Sequence, residues 1–288
     1  MGLGCMTLGL DRSRAELIIR KALDLGVTLF DTADLYDKGV NEEIVGDALS
    51  GVRNRVVIAT KVGNRWRPDG SGWDWDPSEK YILEAVRASL RRLKTDYIDL
   101  YQLHGGTIDD PAEETVRAFE RLLQEGTVRA WGISSIRPNV VRRYAAMADS
   151  GAVGLSSEMV QYSVLDRRPE EEILETARRA GFGVLVRGAV AGGLLAGKPS
   201  APYLDIPASE VQAAQEALRA ITGSAVDAAQ TAIRFVLSHP AVTAVAAGAS
   251  SVTQVEANVK SADAPLLGDN DQRALREAVR QLKYASHR

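Results

Sequence analysis

Cysteine is all but absent from this chain: Cys5 is its one thiol in 288 residues. No disulfide can form within it, and the composition suits a reducing cytoplasm. A basic surplus is missing too, with 35 Lys and Arg against 38 Asp and Glu and a formal net charge of -3. That balance argues against nucleic acid or an anionic membrane as a partner. No apolar run approaches the roughly 20 residues that span a bilayer. The opening "MGLGCMTLGLDRSR" has neither the basic start nor the long apolar core of a signal peptide. Met6 stands where a myristoylation signal needs Ser or Thr. No Pro-, Ser- or Gly-rich linker divides the chain, and no charge run, low-complexity tract or metal-ligand cluster is visible. "MGLGCMTLG" is glycine-rich, yet Thr7 breaks the GxGxxG spacing, so no Rossmann fingerprint is present. The expectation is a soluble cytoplasmic protein that holds any nucleotide in another way.

What is present is alternation. Short β-branched runs, "GLGCM", "TLF" (28–30), "RVVIAT" (55–60), "YIDLYQL" (97–103), "VRAWGIS" (128–134), "SEMVQY" (157–162), "GVLVR" (183–187) and "VTAVAAG" (242–248), read as strands. Between them lie longer segments of 3.6-residue periodicity that start with Pro, Ser or Asn and end near Gly, such as "PSEKYILEAVRASLRRLK" and "AVDAAQTAIRFVLSH". Eight strands, each followed by a helix, imply parallel pairing with right-handed crossovers. The α/β fold predicted is a closed (β/α)8 TIM barrel, a single domain over 1–288, since such barrels typically run to about 250 residues. Two further helical patterns, 207–221 and 269–285, should pack outside it. Trp131, within a strand, is expected in the core.

In such a barrel the C-terminal strand ends converge on one mouth, where sites are built. Asp31 ends the second predicted strand, Lys61 the third and His104 the fourth, and Tyr36 follows Asp31 by five residues. Each could be a strand-end polar residue facing water. Together on three adjacent strands they point instead to a proton-transfer device. A buried Lys beside an Asp stays charged, and its ammonium would draw the Tyr36 phenol down towards neutrality as a general acid or base. Ser134 and Ser135 could cap the helix starting near Pro138, and the glycines of "VRGAVAGGLLAGK" could serve as plain turns. "GASSVTQVEAN" opens a helix after the eighth strand, the usual phosphate position of this barrel.

"FDTADLY", "ATKVG", "DYIDLYQLH", "WGISS", "VQYS", "GGLLAGK" and "GASSVTQVEAN", in this order, resemble the successive motifs of the aldo-keto reductase superfamily. The last two are closest to its bacterial, potassium-channel-β-subunit-like branch. The resemblance implies NADPH-dependent reduction of an aldehyde or ketone to an alcohol, with NADH as a possible substitute. It puts the family's catalytic tetrad on Asp31, Tyr36, Lys61 and His104, and the nicotinamide carboxamide on Ser134, Ser135 and Gln161. The backbone of Gly188, Ala189, Val190, Ala191 and Gly192 would follow the pyrophosphate, with Lys198 adding positive charge. Gly248, Ser250 and Gln254 would lie near the adenosine ribose phosphate and Asn258 on adenine. Arg187 stands where relatives usually stack an aromatic residue on the nicotinamide. A planar guanidinium can stack, and its charge sits better beside the reduced ring than the oxidised one, which biases the chemistry towards reduction. Ser135 replaces the common Asn, and Ser250 replaces an Arg or Lys of many relatives, so the preference for NADPH should be moderate. Relatives usually carry a short hairpin before the first strand, so a start at "MGLG" reads as trimmed. Among Trp66, Trp73 and Trp75, on a long loop after the third strand, Trp66 is the candidate substrate contact. Two other readings stay open: a Schiff-base aldolase, whose Lys61 would have to be an unprotonated nucleophile, and a cofactor-binding redox sensor with little turnover.

Overall fold

The computed structural model describes residues 1–222, 228–265 and 267–288. Its elements run β1 (Gly2–Gly4), α1 (Arg12–Asp24), β2 (Leu29–Asp31), α2 (Val40–Leu49), β3 (Val57–Val62), β4 (Asn64–Trp66), β5 (Trp73–Trp75), α3 (Glu79–Leu93), β6 (Ile98–Leu103), α4 (Ala112–Gln124) and β7 (Val128–Ile133). There follow α5 (Pro138–Asp149), β8 (Leu155–Gln161), α6 (Ile173–Arg179), β9 (Gly183–Arg187), α7 (Ala208–Ile221), α8 (Ala228–Leu237), β10 (Val242–Gly248), α9 (Val252–Lys260) and α10 (Asp269–Glu277). Eight strands close into a parallel barrel in the order β1-β2-β3-β6-β7-β8-β9-β10, and β10 pairs back onto β1. This is the expected (β/α)8 barrel. The start of the expected helix 225–239 lies outside the described residues up to 227.

Alternation along each strand sorts side chains between two cores. Ala59, Leu100, Met159 and Leu185, with Leu29 and Ala130, form one small cluster that fills the barrel interior. Phe30, Ile58, Tyr101, Leu103, Trp131, Ile133 and Val184 belong to the large core between sheet and helices. Strands buried on both faces must be apolar throughout, which is why these runs read so clearly. Trp131 is fully buried, as expected, stacked on Phe119 at 4.6 Å with its indole N–H donating to the Val153 carbonyl at 2.8 Å. Asp11, Ser78 and Ser251 cap α1, α3 and α9 through their side chains.

Three segments depart from expectation. The loop after β3 contains an antiparallel hairpin, β4 with β5, in which Trp66 pairs with Trp73. The segment 169–181 breaks at Glu172 into a short 3-10 turn and α6; Glu170 is drawn aside as acceptor for the Tyr162 hydroxyl at 2.6 Å and partner of Arg276. The last helix ends at Glu277 rather than 285. Beyond it the chain turns inward to bury Val279 and Tyr284, while Arg167 takes the Arg276 and Val279 carbonyls at 2.9 Å each. Tertiary contacts there outweigh a local periodicity that would otherwise continue. Among the described residues no helix is long and apolar enough to cross a membrane.

Helices α2 and α3 meet at Gly46, where an added Cβ would lie 2.6 Å from the Arg92 carbonyl oxygen. That neighbour is backbone and cannot swing away. Gly46→Ala should gain about 1 kcal/mol of helix propensity yet lose more to overpacking, for a net destabilisation of about 2 kcal/mol. The urea midpoint should fall with an unchanged m-value.

Candidate active site

The strand ends deliver their side chains to one place. Asp31 is the last residue of β2, Lys61 lies one residue from the end of β3, and His104 directly follows β6. Tyr36 begins a 3-10 turn in which Asp37 (φ 49°), Lys38 (φ 56°) and Gly39 (φ 90°) are all left-handed. This tight reversal folds the phenol back over the mouth. Lys61 is completely buried. Its ammonium donates to Asp31 Oδ1 at 2.7 Å, to the Thr32 carbonyl at 2.7 Å and to the Tyr36 hydroxyl at 3.5 Å. An ammonium has three protons and here three acceptors. The His104 and Tyr36 rings meet edge-on, 6.0 Å apart.

Burial and charge compete at each group. Burial alone would lower the Lys61 ammonium, but the Asp31 carboxylate and Tyr36 outweigh it and hold its pKa above the ordinary value. For Tyr36 the balance goes the other way. Burial raises the phenol, Lys61 opposes it, and the net direction is upward from 10.0. The sequence-based expectation of a phenol drawn towards neutrality is therefore corrected: desolvation of a phenolate outweighs one ammonium at 3.5 Å. Burial, reinforced by Lys61 and Arg187, pushes His104 down to about 3, so its imidazole is neutral. Its Nδ1 is buried with no partner among the described residues.

The remaining candidates line the same end of the barrel. Ser134 follows β7, and its N–H reaches the Leu103 carbonyl at 2.8 Å. The Ser135 hydroxyl accepts from the Arg137 N–H at 3.2 Å in a local turn before α5, whose N-cap Arg137 makes no side-chain cap bond, so the capping alternative is not realised. Gln161 and Arg187 are cross-strand neighbours joined at 2.8 Å. Gly188 (φ 73°), Ala191 (φ 47°) and Gly192 (φ 65°) are left-handed, and Ala189 and Val190 lie between them. The Lys198 ammonium caps this loop at the Gly192 carbonyl, 2.7 Å away. Gly248 ends β10, and Asn258 donates to its carbonyl at 3.1 Å. Gln254 folds back to accept from the Ser250 N–H at 2.8 Å. Trp66 donates to the Leu35 carbonyl at 3.2 Å and meets Trp73 edge-on at 5.7 Å. Trp73 is half-exposed, whereas Trp75 donates to Asp110 at 2.9 Å and would collide with a Cβ at Gly63.

Sequence reasoning missed several participants. Glu42, fully buried, accepts from Thr60 at 2.6 Å and pairs with Arg92 behind the site. Glu158, also buried, accepts from the Ser135 N–H at 3.3 Å, and burial pushes its carboxyl well above the usual range. Asp166 takes one end of the Gln161 amide at 3.0 Å. A charged residue inside a strand, as at Glu158, was the available signal.

The signature described as "Aldo/keto reductase family" matches residues 1–280. The chain belongs to the aldo/keto reductase family. The family uses NAD(P)H, and this member is an NAD(P)H-dependent oxidoreductase. It is 44% identical to an uncharacterized oxidoreductase, YqkF, of Bacillus subtilis, over all of this chain and 95% of that one. It is 32% identical to a probable voltage-gated potassium channel subunit beta of Arabidopsis thaliana, over 90% of this chain and 85% of that one. The aldo-keto reductase AKR11C1 from Bacillus halodurans, in its holo form, superposes with a TM-score of 0.91 at 46% identity, covering 100% and 94% of the two chains. Its apo form gives a TM-score of 0.82 at 43% identity, with the same coverage.

The ion pair of Lys61 with Asp31 is buried. Lys61→Met should leave the Asp31 carboxylate buried without a counter-charge, costing about 3–5 kcal/mol of stability. Denaturant titration checks this, and Asp31→Asn combined with Lys61→Met should recover part of the loss.

Proposed function

We propose that this reductase converts an aldehyde or ketone to an alcohol with NADPH, and that Asp31, Tyr36, Lys61 and His104 carry the chemistry. The observation that carries the reading is the buried Lys61 ammonium shared between Asp31 and Tyr36. The nicotinamide, when bound, supplies hydride to the carbonyl carbon. Tyr36 donates its phenolic proton to the carbonyl oxygen. Lys61 stabilises the phenolate left behind, and Asp31 keeps Lys61 charged. The neutral His104 offers an N–H that orients the carbonyl. A phenol held above its ordinary pKa is fully protonated at neutral pH, which suits an acid in the reduction direction. Schiff-base chemistry at Lys61 is disfavoured, since that requires a free amine and Asp31 holds the proton on.

The mouth fits a dinucleotide. The left-handed run at Gly188, Ala191 and Gly192 bares backbone where a pyrophosphate would lie, and Lys198 supplies a cation beside it. Ser250, Gln254 and the α9 N-terminus form the phosphate end, where the helix dipole favours an anion. Ser134, Ser135 and Gln161 would face the carboxamide, Gly248 and Asn258 the adenosine, and Arg187 the nicotinamide ring. The closer likeness to the holo form of a relative than to its apo form supports the same reading. Trp66 and its neighbours Trp73 and Trp75 would line the substrate's approach and favour flat or apolar carbonyl compounds. Arg187 ends β9 and bonds Gln161 across the strands at 2.8 Å, which supports a shared place for the two beside the ring.

Tyr36→Phe should lower kcat by at least about 100-fold on any carbonyl substrate that the wild type reduces. NADPH affinity, read by fluorescence titration, should change less than about twofold. Normal turnover in this variant would sink the proton-donor assignment. The pH profile of kcat/KM for reduction should show no limb near the ordinary histidine value of about 6.5, because His104 is already neutral above about 3. Activity should fall only at alkaline pH, as the raised phenol of Tyr36 loses its proton. A limb near neutrality that vanishes in Tyr36→Phe would contradict this.

A further inference from the structure

The wall formed by β8 and β9 carries a hydrogen-bond chain outside the proton-transfer group. Gln161 is engaged at both ends of its amide. Oε1 accepts from Arg187 Nη1 at 2.8 Å, while Nε2 donates to Asp166 Oδ2 at 3.0 Å and to the Tyr203 hydroxyl at 3.1 Å. Asp166 is only 1% exposed, and Arg168 grips it at two points, Nε on Oδ1 and Nη2 on Oδ2, each at 2.8 Å. Arg168 in turn lies 5.1 Å over the Tyr284 ring of the C-terminal tail.

A carboxylate accepts and cannot donate. Asp166 therefore dictates that the Gln161 amide turns its NH2 inward, which leaves Oε1 facing Arg187. Both Nε2 protons are then committed. The amide can lend at most one acceptor lone pair to a nicotinamide carboxamide, and its main partner is the guanidinium. A guanidinium has five protons but a long, rotatable stem. One fixed acceptor at its Nη1 decides where the charged plane rests.

We propose that Asp166 is a positioning residue: by locking the Gln161 amide it holds the Arg187 guanidinium against the nicotinamide and so sets the relative affinity for oxidised and reduced cofactor. This rests on the reading that Arg187 faces the nicotinamide. The oxidised ring carries a positive charge and the reduced ring does not, so a guanidinium held close penalises the oxidised form selectively. A guanidinium released from Gln161 spreads over other rotamers, and the penalty fades.

The test compares NADP+ and NADPH dissociation constants, by fluorescence titration, for wild type, Asp166→Asn, Gln161→Met, Arg187→Met and the double variant Asp166→Asn/Arg187→Met. In Asp166→Asn the new amide can donate, and the Gln161 amide loses its fixed direction. The ratio Kd(NADP+)/Kd(NADPH) should fall by about fivefold or more in each single variant. The double variant should match Arg187→Met alone, because Asp166 acts through Arg187. Gln161→Met keeps the Asp166–Arg168 pair and serves if Asp166→Asn does not fold. If Arg187→Met lowers the ratio while Asp166→Asn, or Gln161→Met in its stead, leaves it unchanged, the proposal is overturned and the Arg187 reading survives. Additive effects in the double variant also overturn it. An unchanged ratio in Arg187→Met overturns the Arg187 reading itself.

Discussion

The ion pair between Lys61 and Asp31 is the constraint around which the mouth is organised. An ammonium with no solvent exposure is tolerable only if every proton has an acceptor and one acceptor carries the opposite charge. Asp31, the Thr32 carbonyl and the Tyr36 hydroxyl meet that demand, and all three come from the end of β2 and the turn that follows. The parallel register of β2 on β3 sets Asp31 opposite Ala59, so Lys61 reaches it from one position higher on the same interior face. The left-handed backbone at Asp37, Lys38 and Gly39 then brings Tyr36 within reach. Strand register, turn conformation and charge pairing are thus mutually dependent. Loss of either charge would disturb all three.

The same burial tunes the neighbouring groups in opposite senses. Desolvation disfavours whichever form is charged. It lifts the Tyr36 phenol, lowers the His104 imidazole and would discharge Lys61 were Asp31 not beside it. The result is an ammonium held charged by the Asp31 carboxylate, beside a phenol and an imidazole that are neutral at neutral pH. The Lys61 ammonium, backed by Asp31, reaches the Tyr36 hydroxyl, so in the proposed reaction its charge would stabilise a developing phenolate without reorganisation. Arg187 adds a second cation from across the mouth.

A second layer supports this one from the C-terminal side. The chain after α10 abandons helical periodicity and buries Val279 and Tyr284 against the loop 166–172. Arg167 bonds the Arg276 carbonyl of α10 and the Val279 carbonyl of the tail, Arg276 and Tyr162 both meet Glu170, and Arg168 connects Tyr284 to Asp166. The tail is remote in sequence from Gln161 yet lies three contacts away from it, through Asp166 and Arg168 to Tyr284.

Much of this was legible from the residues alone. Parallel strands buried on both faces must be apolar, so eight such runs alternating with amphipathic segments determined the barrel. Barrel topology brings strand ends to one mouth, so the strand-end positions of Asp31, Lys61 and His104 suffice to group them. The tertiary structure decided matters in which distant groups compete. Whether Tyr36 rises or falls in pKa depends on how much water is excluded, which composition does not encode. Whether 278–285 continues as helix depends on the pocket that Val279 and Tyr284 find, not on their spacing. The hairpin pairing Trp66 with Trp73 and the turning of Gln161 by Asp166 towards Arg187 likewise follow from cross-chain geometry. Local patterns report which face of an element is buried; what lies against that face is set only when the chain closes.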